Sequence, residues 1–193
     1  MSEDDRQKWN QRYREQEGSR EPSRFLQSLE ARLPAQGRAL DVAGGSGHDA
    51  LWLARRGLDV TLVDISEVAL ARAEAAARKA GVGLRTQQVD LEAGTLPPGP
   101  FDVVLCLNFL LRPLFAALPE RLSPGGLFIF AQPTLANLQR HRHPSARFLL
   151  EEGELPQLLQ GLEAVSYSEG WTEEGTHEAR LAAIRLAGGV TFP

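Results

Sequence analysis

The sequence predicts an α/β fold in which a doubly wound, mostly parallel sheet ends in an antiparallel strand pair. Short apolar runs recur about every 20 residues through the middle of the chain, and such near-continuous Val, Leu and Ile is typical of strands buried on both faces. The stretches between these runs carry helix start and stop signals, which places helices on both faces of the sheet. Near the end of the chain, a turn that contains Gly175 lies between two further runs and predicts a hairpin.

The composition and length fit one domain with a single core. The 193 residues are 42% hydrophobic and 24% charged, values that are ordinary for a globular domain and unlike those of disordered or collagen-like chains. No linker rich in Pro, Gly or Ser divides the sequence. We therefore expect one domain over residues 1–193, with a helical cover at 1–35, a ligand-binding core at 36–131, and a loop, a helix and the terminal hairpin at 132–193.

Five core strands and two hairpin strands are expected. The core strands are Ala39–Val42, Val60–Val63, Leu84–Val89, Phe101–Leu107 and Leu127–Ala131, and the hairpin pairs Ala164–Gly170 with Glu178–Ala187. The spacing of the core runs leaves room for one crossover helix in each interval. Residues from Gly188 onward are expected to form a frayed tail.

The helices are predicted from their end signals. Between the core strands they are Ser46 or Gly47 to Arg56, then Glu67–Ala80 with Ser66 as N-cap and Gly81 after its end, and Pro113 or Leu114 to Leu122. Before the first strand, Asp5–Glu17 places Trp9 and Tyr13 four residues apart on one helix face. A second N-terminal helix is expected over Ser23–Leu33.

Charge and cysteine content exclude several functional classes. A net charge of −4 argues against general nucleic-acid binding, and no apolar run is long enough to span a membrane. The first residues are acidic and lack the apolar stretch of a secretory signal. A single cysteine, Cys106, excludes an internal disulfide framework and a cysteine-based zinc site, so we expect a cytoplasmic protein with no metal.

The most informative segment is the glycine loop Asp41–Gly47, which follows the first strand and opens a helix. Ligands of open α/β sheets bind at the carboxyl ends of the strands, where a glycine loop lets them approach the backbone closely. The residues from Gly45 to Ala50 satisfy the Rossmann-like pattern G-x-G-x-x-A, and Asp64 follows Gly47 at the end of the next strand. On these positions alone, a nicotinamide cofactor and an NAD(P)-dependent oxidoreductase remain an alternative.

Three carboxylates favour a different ligand. Asp41, Asp64 and Asp90 end or follow three successive strands. The carboxylate of Asp41 would repel a pyrophosphate and attract an ammonium or sulfonium group, since unlike charges attract. Asp64 could accept both ribose hydroxyls, and Asp90 could accept from an adenine amino group. A cationic nucleoside without phosphate, such as S-adenosylmethionine, suits this set.

Several motifs, in order, resemble the class I S-adenosylmethionine-dependent methyltransferases, whose fold is the seven-stranded, Rossmann-like methyltransferase type. The segments are Ala39–Gly47 with Ala43 where the family has its first glycine, Val63–Ser66, Asp90–Leu91, Phe101–Cys106 and Leu122–Gly126. The resemblance implies a cofactor site formed by Asp41, Ala43, Gly44, Gly45, Gly47, Asp64, Ile65, Asp90, Leu91 and Asn108.

The ends of the chain resemble a narrower group, the tellurite-resistance (TehB-like) and thiopurine-type small-molecule methyltransferases. The segment Trp9–Tyr13 is similar to an N-terminal segment that folds over the cofactor in that group, which implies that Arg12 and Tyr13 contact it. Residues 143–155 resemble the segment after the fifth strand. The implied substrate is a small molecule, and the implied assembly is a monomer or homodimer.

Methyl transfer is an in-line displacement, to which a protein contributes mainly alignment and exclusion of water. The sequence singles out no catalytic residue, so a non-catalytic S-adenosylmethionine-binding module is a further alternative. Basic side chains could recruit an anionic acceptor. The candidates are Arg112 after the fourth strand and, on the long loop after the fifth, Arg140, His141, His143 and Arg147.

Overall fold

A computed structural model describes residues 3–15 and 21–186 and contains one seven-stranded sheet. The strands are β1 Gly37–Val42, β2 Leu58–Asp64, β3 Arg85–Gln88, β4 Phe101–Leu107, β5 Leu122–Pro133, β6 Leu162–Trp171 and β7 His177–Arg185. Their order is β3-β2-β1-β4-β5-β7-β6. The first five are parallel, and β7 is antiparallel to both β5 and β6. The predicted sheet and terminal hairpin are confirmed.

Six α-helices accompany the sheet in the described residues. They are α1 Glu3–Glu15, α2 Arg24–Ser28, α3 His48–Arg55, α4 Glu67–Ala80, α5 Arg112–Arg121 and α6 Glu154–Gln157. Helix α4 has the predicted ends: the Ser66 hydroxyl accepts from the Ala69 N–H at 3.1 Å, and Gly81 adopts the left-handed conformation after the last turn.

Two helix predictions are wrong. Residues 90–100 between β3 and β4 form turns and irregular structure, not a crossover helix, because Gly94, Pro97, Pro98 and Pro100 are poor helix formers in a short stretch. The expected helix over Ser23–Leu33 stops at Ser28 and continues as a 3₁₀ turn over Glu30–Arg32.

The sheet has an apolar cluster on each face. On one face, Phe128 and Phe130 of β5 pack against Phe115 of α5, with Phe115–Phe128 and Phe115–Phe130 centroid distances of 5.8 and 5.1 Å. On the other face, α2, α3 and α4 cover β1, β2 and β4. This burial on both faces explains why the core strands are continuously apolar in sequence.

The sheet topology brings distant parts of the chain to one edge. The carboxyl ends of β1 to β5 meet there, and the antiparallel pairing adds the end of β6 and the start of β7. None of the helices in the described ranges is long and apolar enough to cross a membrane. The predicted tail after Gly188, and the predicted ends of the first helix beyond Glu15 and of the last strand at Ala187, lie outside the described residues.

Candidate functional site

The glycine loop lies between β1 and α3 at the carboxyl edge of the sheet. Ala43 has φ 55°, Gly45 has φ 57°, and Gly47, the N-cap of α3, has φ 76°. Three of the five loop positions after Val42 are therefore left-handed, a conformation that costs a non-glycine residue about 1 kcal/mol or more. Ala43 adopts it with a Cβ, so this departure from the family motif leaves strain in the loop.

Two of the glycines are required by close neighbours. A Cβ on Gly44 would overlap the Asp41 carboxylate, and a Cβ on Gly45 would overlap the hydroxyl oxygen of Tyr13. The loop backbone is thus enclosed between the end of β1 below and α1 above.

Asp41 is a buried carboxylate with an unused acceptor. The side chain is 2% exposed, and one oxygen accepts from the backbone N–H of Ala50 in the first turn of α3. The other oxygen, Oδ2, has no hydrogen-bond partner. Burial, followed by the nearby charges of Asp49 and Asp64, raises the pKa of Asp41 well above its usual range.

Asp64 ends β2 and holds the glycine loop in place. Its Oδ2 accepts from the Gly45 N–H at 2.9 Å and its Oδ1 from the Ser66 N–H at 2.8 Å. Burial raises the pKa of Asp64, while the N–H groups of Ser66, Gly45 and Ile65 act in the opposite direction. A carboxylate has about four acceptor sites, so lone pairs remain for ligand hydroxyls.

The residues that follow β3 and β4 are placed at the same edge. Asp90 Oδ1 accepts from the Glu92 N–H at 2.9 Å, which forms a tight turn, and Leu91 is buried in the core below it. Asn108 is exposed and left-handed at φ 58°, a conformation that asparagine tolerates better than most residues. Its N–H donates to Ala131 of β5 at 2.9 Å.

Helix α1 covers the loop, and one of its residues was not predicted. Trp9 and Tyr13 lie on one face, with ring centroids 6.1 Å apart, as the spacing predicted. Arg12 is exposed, and its guanidinium lies over the Trp9 ring. Asn10 was overlooked, although it is the one buried residue of α1 and bonds to both Ser66 and Glu67. Its position three residues before Tyr13, on the same helix face, was the available signal.

Arg112 is held by an acidic partner. Its guanidinium contacts both carboxylate oxygens of Glu154, one of them at 2.8 Å, and donates to the Leu149 carbonyl at 3.3 Å. The ion pair lowers the pKa of Glu154. Arg112 therefore connects the start of α5 to the first residue of α6 and to the segment before it, a contact that sequence spacing could not predict.

The basic residues of the loop after β5 are all exposed, and each has a different neighbour. The Arg140 guanidinium lies 3.7 Å from the centre of the Trp171 ring, His141 Nε2 lies 2.8 Å from the Gly175 carbonyl oxygen, and the Arg147 guanidinium lies over Phe148. The His143 carbonyl accepts from Asn137 at 3.4 Å. None of the ion pairs in the described part of the chain involves Arg140, Arg142 or Arg147.

A polar cluster that the sequence did not reveal fixes this loop to the hairpin. Thr134 Oγ1 lies 2.7 Å from Nδ1 of His177, and the Thr134 N–H donates to the His177 carbonyl at 2.9 Å. The side chain of Asn137, 2% exposed, accepts from the His177 N–H. The two loop residues lie 40 or more positions before His177 of β7 in the sequence, so no local pattern marks the cluster.

Other candidates have structural roles. The thiol of Cys106 is buried, and burial raises its pKa, which makes it a poor nucleophile. Asp102 of β4 accepts from the Arg38 N–H of β1 at 2.8 Å, a hydrogen bond between neighbouring strands. Within residues 3–15 and 21–186, no group of three or more His, Cys, Asp and Glu side chains is arranged to hold a metal ion.

The charges around the glycine loop favour a positively charged ligand group. A buried, unpartnered carboxylate oxygen of Asp41 faces the loop, and the charges that act on it are negative. A positively charged group would satisfy that oxygen and relieve the repulsion. A diphosphate there would add charge of the same sign.

Known proteins with a similar sequence include methyltransferases. Residues 39–126 match the family model described as a methyltransferase domain. The ubiquinone biosynthesis O-methyltransferase of Methylococcus capsulatus is 34% identical over 113 residues, which cover 55% of this chain and 48% of that protein. The chain spans about half the length of the curated relatives it matches.

Solved structures with the same fold include further methyltransferases. TehB from Haemophilus influenzae superposes with a TM-score of 0.69 at 20% identity and covers 83% of this chain and 61% of its own. An S-adenosylmethionine-dependent methyltransferase from Mesorhizobium loti gives a TM-score of 0.67 at 22% identity, covering 82% of this chain and 96% of its own. At these identities the likeness is one of fold.

The strain at Ala43 predicts a stabilising substitution. Ala43→Gly should raise the free energy of unfolding by about 0.5–1 kcal/mol, because relief of the left-handed strain exceeds the entropy that glycine adds to the unfolded chain. Urea denaturation measures the change. As a matched control, Ala75→Gly on the exposed face of α4 should lower stability by about 1 kcal/mol. If Ala43→Gly lowered stability as Ala75→Gly does, the inference that Ala43 is strained would be wrong.

The buried carboxylate predicts a pH-dependent gain in stability for Asp41→Asn in the ligand-free protein. Because the native pKa is raised, the native state holds this proton more strongly than the unfolded state, and the penalty grows as pH rises from about 4 through the native pKa. The amide keeps an acceptor for Ala50 without the charge. Urea unfolding at pH 5, 7 and 8.5 should show a stability gain that widens with pH. Glu152→Gln, at an exposed position, should show no such trend.

Proposed function

We propose that this chain is a class I S-adenosylmethionine-dependent methyltransferase that transfers a methyl group to a small anionic acceptor. The match of residues 39–126 to a methyltransferase-domain model supports the reaction class. The observation that carries the proposal is the unpartnered, buried Asp41 oxygen beside the glycine loop. S-adenosylmethionine, when bound, supplies an electrophilic methyl group on a sulfonium. We propose that residues 36–131 hold this cofactor, residues 1–35 cover it, and residues 132–193 receive the acceptor.

The cofactor contacts that we propose follow from the strand ends. Asp41 would attract the positively charged end of the ligand, and Asp64 would accept its ribose hydroxyls through the lone pairs that the backbone leaves. Asp90 and Leu91 would border the adenine. The backbone of Ala43–Gly47 would lie against the ligand, with Tyr13 closing the site from α1.

The proposed acceptor site lies beyond β4 and β5. Asn108 follows β4, and the loop after β5 carries Arg140, Arg142 and Arg147 without carboxylate partners among the described ion pairs. Unpaired guanidinium groups at this edge would attract a negatively charged molecule and raise its local concentration. His141 and His143 would add hydrogen-bonding groups to the same surface. Arg112 would contribute less to this attraction, because Glu154 already neutralises most of its charge.

An anionic or soft acceptor also fits the chemistry that these residues can perform. A nucleophile that is already ionised needs no proton removed in the transition state, so alignment and exclusion of water suffice. The role of the chain is then to orient the acceptor on the fixed loop and to keep water out with α1. We propose a cytoplasmic enzyme that acts as a monomer or homodimer and has no nucleic-acid partner, which the single cysteine and the net charge of −4 support.

The nicotinamide alternative is not favoured. Its pyrophosphate would lie at the glycine loop, beside a region where Asp41, Asp49 and Asp64 already repel one another. A non-catalytic cofactor-binding module would share the pocket, and detection of methylated product in the acceptor screen below separates it from an enzyme.

Calorimetry with S-adenosylhomocysteine, S-adenosylmethionine and NADH tests the proposal. We expect the first two to bind and NADH to give no heat. Asp64→Ala should weaken S-adenosylhomocysteine binding about 10- to 150-fold, the usual loss of about 1.5–3 kcal/mol for hydrogen bonds to a charged group. Asp59→Ala, at the opposite end of β2, is the matched control and should bind normally. If the wild-type protein, Asp64→Ala and Asp59→Ala bound S-adenosylhomocysteine with equal affinity, the assignment of Asp64 to the ribose would be wrong.

The acceptor assignment predicts a selective kinetic defect. A screen of selenite, tellurite, thiols, thiopurines and small carboxylates would provide the substrate. With it, Arg140→Ala combined with Arg142→Ala should raise KM about tenfold or more through lost electrostatic attraction, and leave S-adenosylhomocysteine affinity unchanged. The control pair Arg32→Ala and Arg55→Ala removes two exposed arginines elsewhere and should change neither. Equal damage to KM and cofactor affinity would mean that the loop is structural.

A further inference from the structure

The contacts of α1 with the rest of the protein are polar. Asn10 is its one buried residue. On either side of it, the Arg6 side chain pairs with Glu67 of α4 at 3.4 Å, and the backbone carbonyl of Arg14 accepts from the Arg72 guanidinium of α4 at 3.4 Å. Exposed pairs of this kind contribute little to stability. The docking of α1 therefore depends mainly on the buried contacts of Asn10.

Asn10 uses both ends of its amide. Its Nδ2 donates to Glu67 Oε1 at 2.7 Å, and its Oδ1 accepts from the Ser66 hydroxyl at 2.7 Å. Ser66 is fully buried and also caps α4 by accepting from the Ala69 N–H. The hydroxyl proton of Ser66 thus has its partner on α1, and loss of that partner would leave a buried donor unsatisfied.

The same contacts continue into the cofactor site. The Ser66 N–H donates to Asp64, and Asp64 accepts in turn from the Gly45 N–H of the glycine loop. One helical turn after Asn10, the hydroxyl of Tyr13 lies against Gly45. These contacts form a closed ring that includes the Asp64 carboxylate, to which we assign the ribose. The members of the ring, in order, are Asn10, Ser66, Asp64, Gly45 and Tyr13, and α1 itself joins Tyr13 back to Asn10.

We propose that Asn10 is a positioning residue that docks α1 through Ser66. Because of this docking, Tyr13 covers the glycine loop at the same time as Asp64 binds the ribose. The inference rests on the proposed function, because the ring matters only if this edge binds the cofactor. Asn10 touches neither Asp64 nor the glycine loop in any described hydrogen bond, so it acts through Ser66 and through the helix that carries Tyr13.

A double-mutant cycle on S-adenosylhomocysteine affinity tests the coupling. By calorimetry, we expect Asn10→Ala to weaken binding about tenfold or more and Tyr13→Phe to weaken it less. In the Asn10→Ala background, Tyr13→Phe should have no further effect, because the helix that carries it is no longer docked. Gln11→Ala is the matched control: among the described residues this amide bonds to Glu15 of the same helix, and its loss should leave affinity unchanged.

Hydrogen exchange distinguishes the proposed coupling from a purely structural role of Asn10 at the cap of α4. In the wild-type protein, S-adenosylhomocysteine should slow exchange of the α1 amides; in Asn10→Ala the ligand, at saturation, should leave them fast. Asn10→Gln, which keeps the amide, should restore part of the protection. Additive effects in the cycle, or wild-type protection in Asn10→Ala, would overturn the inference.

The two proposals fail in different ways. If the wild-type protein binds no S-adenosylhomocysteine, the proposed function falls and the coupling falls with it. If the wild-type protein binds and Asn10→Ala binds equally well, the cofactor assignment stands and the coupling alone is wrong.

Discussion

One buried carboxylate oxygen determines which sign of ligand charge this site favours. Asp41 lies one residue before the end of β1 in the interior, accepts from the N–H of Ala50 in α3, and leaves Oδ2 without a partner. Asp49 and Asp64 add charge of the same sign nearby. Such an arrangement is unfavourable in an isolated protein, because burial removes the hydration of a charge and nothing replaces it. It becomes favourable when a cationic ligand is bound, and local instability of this kind is common at functional sites.

The two halves of the carboxyl edge are constructed differently. Around β1 and β2, backbone N–H groups and acidic side chains fix the glycine loop within a few residues of the strand ends. Around β5 and β7, the fixed elements are polar contacts such as Thr134 with His177 and Asn137 with both His177 and His143. The arginines on this second half are exposed, and their attraction for an anion would weaken with salt. These differences fit our proposal that the first half holds one ligand in a fixed position and that the second attracts anionic acceptors less selectively.

Helix α1 is a polar cover on an apolar protein. The two core clusters lie against the sheet and include no residue of α1. A cover held by amide and carboxylate contacts can separate from the sheet without exposing the core, so its opening costs less than unfolding of any core helix. That property suits an element that must admit a cofactor and then exclude water.

The sequence by itself determined the parallel strands, the caps of α4, the terminal hairpin and the acidic strand ends, because each depends on residues close together in the chain. It also indicated Asp41, Asp64 and the glycine loop, since motif and strand end coincide there. Only the tertiary structure decided that residues 90–100 lack a helix, that Arg112 pairs with Glu154, and that Asn10 bonds to Ser66. These pairings join residues about 40 or more positions apart, so packing, rather than local pattern, selects them.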